Sequence, residues 1–85
     1  MLDWTRSKKS IQGALEMEEA VARCLRARLQ YLEAELELAV LCNSTAEAAT
    51  YRSQIEAACK SLALADQDVL DLRMELEEFE RGGGR

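Results

Sequence analysis

The chain has 85 residues, enough for one domain with a thin core. Its formal charge of −5 disfavours bulk nucleic-acid binding, which draws its affinity mainly from Lys and Arg. It has no histidine, so the usual general base near neutral pH is missing, and no proline to interrupt a helix.

Ala, Leu, Glu and Arg dominate and are strong helix formers, so the expected fold class is all-α. No apolar run reaches the roughly 18–20 residues that span a bilayer. The first residues lack the apolar core of a signal peptide. Three cysteines, Cys24, Cys42 and Cys59, make an odd, sparse set that suits a reducing compartment. These features together set the expectation of a cytoplasmic protein. Each cysteine is read as a small buried hydrophobe rather than a nucleophile.

Met1 to Ser10 is polar and locally basic, and Asp3 or Ser7 is placed to cap a helix start. Trp4 reads as an anchor closing one end of the core. A first helix is expected over about 4–42. Its seam is Ile11, Leu15, Glu18, Ala22, Leu25, Leu29, Leu32, Leu36 and Ala39, stepping by threes and fours. Glu18 interrupts an otherwise apolar line. It is expected to reach out towards Arg73 or a solvated edge, or else to meet a basic group on a partner. Gly13 costs about 1 kcal/mol against alanine and permits a late or frayed start.

Cys42 to Thr45 is the break. Asn43 tolerates the left-handed conformation that ends helices, and Ser44 with Glu47 has capping-box spacing. The turn is expected at 43–44 and the second helix over about 45–81. Its seam runs Ala48, Tyr51, Ile55, Ala58, Leu62, Ala65, Val69, Leu72, Leu76 and Phe79. Gly82 to Gly84 should stop this helix and leave a flexible tail over 82–85. If the chain folds back at 43–44, facing residues have numbers that sum to about 87. Leu36 then meets Tyr51, Leu32 meets Ile55, Leu25 meets Leu62 and Ala22 meets Ala65. The predicted architecture is a single domain over 1–85, an antiparallel two-helix hairpin of coiled-coil type.

A second line lies beside the first seam: Met17, Val21, Cys24, Arg28, Tyr31, Glu35, Leu38 and Cys42. A two-helix hairpin has no interior to hide it. Met17, Val21, Cys24, Arg28, Tyr31 and Leu38 are therefore the candidate partner-binding residues, for a protein partner or a second copy completing a bundle. The second helix offers only a weak equivalent in Cys59, Ala63 and Leu70.

Chemistry-bearing motifs are missing. There is no phosphate-cradling glycine loop after a strand, and the cysteines lack metal spacing. No catalytic, cofactor-binding or metal-ligating residue is assigned, no cofactor or small-molecule substrate is expected, and neither is a membrane. Two charge features remain: the Arg23, Arg26 and Arg28 cluster, with Glu19 and Arg23 spaced for i,i+4 pairing, and the acidic end from Asp66 to Glu80.

The stretch Leu25-Arg26-Ala27-Arg28-Leu29-Gln30-Tyr31-Leu32-Glu33-Ala34-Glu35-Leu36, followed by a short turn and Ala49-Thr50-Tyr51-Arg52, resembles one family. It is that of the small helical-hairpin co-chaperones that pair with a second chaperone to hold needle subunits of bacterial type III secretion systems. The resemblance covers about positions 16–72, and the longer ends and terminal glycines depart from it. It implies a cytoplasmic, heteromeric chaperone role. The residues alone leave three readings: a non-enzymatic interaction module or chaperone subunit; a homodimeric four-helix bundle, structural or RNA-binding; and a small acidic phage-type inhibitor.

Overall fold

The computed structural model describes residues 7–83; the candidate cap Asp3, the candidate anchor Trp4 and the last two residues of the expected tail lie outside them. The first helix, α1, spans Lys8–Leu41. It opens on Ser7, whose extended backbone lets its Oγ accept the Ser10 N–H at 3.1 Å. One of the N–H groups a helix start leaves unpaired is thereby satisfied. Gly13 neither delays nor frays this start, since it lies inside the helix with open space where a Cβ would project.

α1 ends at a Schellman turn. Ser44 N–H donates to Ala39 C=O at 2.8 Å and Asn43 N–H to Val40 C=O at 3.1 Å. This closure needs a left-handed residue, and Asn43 supplies it with φ 56°. The second helix, α2, spans Thr45–Glu78. Ser44 occupies its N-cap position, but its side chain makes no capping bond, so the expected capping box does not form. The physical reason is the preceding turn. It holds Ser44 at ψ 82°, well short of the extended geometry seen at Ser7. Glu47 still lies in the first turn of α2, where a negative charge is favoured by the helix dipole.

At the far end α2 runs into a single π-helical turn, Phe79–Gly83. Gly82 therefore does not stop the helix as expected: the backbone stays helical through it, beside an Arg81–Glu77 ion pair of 2.8 Å. The two helices lie antiparallel along a body of 63 × 19 × 14 Å. Every residue of both predicted seams is buried or half-buried. Four cross-helix contacts record the register: Arg26–Asp66 and Arg73–Glu19, each 2.7 Å, Lys8–Glu80 at 3.0 Å, and Tyr51–Glu35 at 3.4 Å. Their midpoints fall between positions 43 and 46, at the turn and the first residues of α2.

The core between the seams is narrow. Among the described residues, five of its nine buried ones are alanines: Ala22, Ala39, Ala48, Ala58 and Ala65. Small residues let helices approach closely but bring little apolar surface. Ile11, at 1% exposure, and Leu32, at 2%, are the largest fully buried side chains. Leu25 and Leu62 remain half-buried. Leu32→Ala should accordingly cost about 2–5 kcal/mol, and Leu25→Ala less, as read from urea midpoints. Gly13→Ala should raise stability by about 1 kcal/mol, because it adds helix propensity without a clash.

Candidate functional site

The seam divides the outside of the hairpin into two flanks, and their chemistry differs. One flank is crossed by two ion pairs, Glu19–Arg73 and Arg26–Asp66, with Arg23 and Leu70 lining the same shallow groove. Exposed pairs of this kind are worth roughly 0–1 kcal/mol each, so they align the helices more than they stabilise them. Glu19 takes Arg73, a helix away, instead of the expected i,i+4 partner Arg23. The expected contact of Glu18 with Arg73 is lost to this pair.

The other flank carries the second apolar line of α1. Met17 is 66% exposed, Tyr31 62% and Leu38 55%, and Val21 is exposed as well. Cys24 and Arg28 stand exposed between them, and Cys42, also exposed, ends the line after Leu38. All six candidate partner-binding residues thus share one uncovered face. The cysteine expectation needs correcting here: Cys24, Cys42 and Cys59 are all exposed free thiols. The narrow alanine-rich core leaves no room for them, as positions off the seam face outward in a hairpin of two helices.

α2 contributes to this face a residue that the sequence reading passed over, Leu64, exposed at 69%. Its placement follows from a groove lined by Ala14, Glu18, Asp68, Asp71 and Leu72. Ala14 precedes Val21 by two helical turns, and Asp71 follows Leu64 by two turns, so both lines lie on this flank. The signal was present as an apolar residue seven positions before Asp71, but it gained meaning only once the flank was known. Glu18 opens into the same groove, half-buried, and no buried side-chain polar atom lacks a partner among the described residues.

The arginines do not make one surface. Arg23 and Arg26 line the ion-paired groove, whereas Arg28 stands on the apolar line of the opposite flank. Among the described residues no group of three or more His, Cys, Asp or Glu is placed to hold a metal ion, and no helix is long and apolar enough to cross a membrane.

At the turn end of the open flank, Tyr51 Oη donates to Glu35 Oε2. Loss of hydration, then the charge of Glu35 and this hydrogen bond, raise the Tyr51 phenol above its ordinary value of 10.0. The folded state therefore favours the neutral phenol. Its contribution is complete below the ordinary value and is lost as the pH rises through the raised one. Between about pH 9 and about pH 11 the urea midpoint of the unaltered chain should fall further than that of Tyr51→Phe.

Comparison with protein-family models, with curated proteins and with solved structures finds no match for this chain, so its function has to be read from the open flank itself.

Proposed function

We propose that this chain is a non-enzymatic protein-interaction module, a two-helix hairpin that completes its bundle on a helical partner through the flank bearing Met17, Val21, Cys24, Arg28, Tyr31 and Leu38. The single observation that carries this reading is a line of large apolar side chains, Met17, Val21, Tyr31 and Leu38, three of them more than half exposed, beside a core too narrow to receive them. Apolar patches above a few hundred Å² are uncommon on free-standing monomers and often mark interaction sites. Helix-in-groove docking suits a line of anchors spaced by threes and fours.

A small chaperone or co-chaperone subunit in the cytoplasm is the role that suits a hairpin of this size. It is also what the resemblance to the type III secretion co-chaperones implies. Covering such a patch is how a chaperone of this kind would hold an aggregation-prone helix. The separation of Arg28 from Arg23 and Arg26, together with the Arg26–Asp66 pair, gives the RNA-binding reading no continuous basic surface.

Burying Leu38 on a partner is worth about 1.5–3 kcal/mol. Leu38→Glu should therefore weaken association at least about tenfold while leaving helicity intact. Light scattering across a concentration series, paired with circular dichroism, measures both. The chain alone should be marginally stable and should self-associate only weakly, through this patch. A stable, strictly monomeric chain whose behaviour Leu38→Glu leaves unchanged would sink the proposal.

A further inference from the structure

The open flank is acidic as well as apolar. By helical position, Glu18, Glu35, Glu47, Asp68, Asp71 and Glu78 lie on it, and among the described residues Arg28 is the single cation beside them. Glu75 lines the same groove. Over the rest of the described chain cations and carboxylates are equal in number, so the net negative charge of the hairpin is concentrated here. On the opposite flank Glu19 and Asp66 are each paired with an arginine of the other helix, Arg73 and Arg26.

We infer that this flank docks a basic amphipathic helix from a different protein, its apolar ridge on Met17, Val21, Tyr31, Leu38 and Leu64 and its cations over Glu18, Asp68 and Asp71. The inference rests on the interaction reading above and names the chemistry of the partner. From Met17 to Leu38 the apolar line spans roughly 32 Å at 1.5 Å per residue, which sets a partner helix of about 20 residues. The groove beside Glu18 lies at the open end of the hairpin, so the cations belong at one end of that helix.

A second copy of this chain fits less well, and the reason is geometric. Arg28 stands at the midpoint of the line from Met17 to Leu38. A two-fold axis through the centre of the line sets Arg28 against its own copy, whether the hairpins run parallel or antiparallel. In the parallel arrangement the Asp68–Asp71 end also meets itself. In the antiparallel one it meets Glu35 and Glu47. Like charges placed together across an interface cost affinity in both cases.

The probes are two synthetic helices of about 20 residues. Both carry leucines at alternating three- and four-residue spacing; one has lysines flanking the ridge at one end, and the other has glutamates in their place. Binding to the full chain is read by calorimetry at low and high salt. The lysine peptide should bind, and weaken with salt. Asp68→Asn combined with Asp71→Asn should weaken it about tenfold, Leu38→Glu should weaken it at least as much, and Glu37→Gln, on the far flank, should have no effect. Equal binding of the two peptides would overturn the basic-partner inference while leaving the interaction reading in place. Lysine-peptide binding that ignores Leu38→Glu would overturn both, because the apolar line would then take no part. A tight, stable homodimer of the pure chain that excludes both peptides would overturn the basic partner alone.

Discussion

The register of this hairpin is set within a few residues of Asn43, and the rest of the structure depends on it. One left-handed residue lets Ser44 N–H return to Ala39 C=O, and α2 starts at the next position. Ala39 and Ala48, both buried, sit on either side of that closure. With alanine in both places the helices leave the turn close together. Each later layer then follows by the three-four step of its own seam. A turn one residue longer would rotate α2 by about 100° relative to α1 and move its apolar line off the seam.

The cost of this construction is a thin core. A compact monomer of this mass exposes roughly 5,000 Å². The hairpin exposes 6544 Å², as its elongated shape requires. The excess is of the same order as the roughly 800 Å² that each partner buries in a typical stable interface. Docking a third helix along the open flank would deepen the core and hide Met17, Tyr31 and Leu38 at once. The bundle geometry of α-helices supplies the site for it, since a two-helix pair leaves a groove on each side of its seam.

Much of this was legible in the sequence because helical packing is periodic. Two seams with the same fold-back point define a hairpin, and every seam residue from Ile11 to Phe79 is at least half-buried. The left-handed Asn43 was legible for a local reason, the tolerance of its side chain for positive φ. What failed to be legible depends on competition between neighbours. Arg73 has both Glu18 and Glu19 within the span of one turn, and only the cross-seam geometry selects Glu19. Ser44 has the residue type for a cap, but the turn before it takes up its backbone first. Leu64 stands alone on α2, so no periodic signal marked it until α1 identified its flank.

The contrast between the flanks carries the functional argument further than exposure alone. Both are groove-like, and both are lined by carboxylates. On one, each carboxylate that crosses the seam finds an arginine on the other helix, which ties the hairpin to itself. On the other, Glu18 faces Asp68 and Asp71 across the seam, so like charges line both walls. That arrangement disfavours closing the hairpin more tightly on this side, and it raises the affinity of any cation brought between the walls. An apolar line alone would accept many partners. Set beside such walls it rejects acidic helices by repulsion and selects basic ones, and selectivity of that kind needs an unfavourable contact as well as a favourable one.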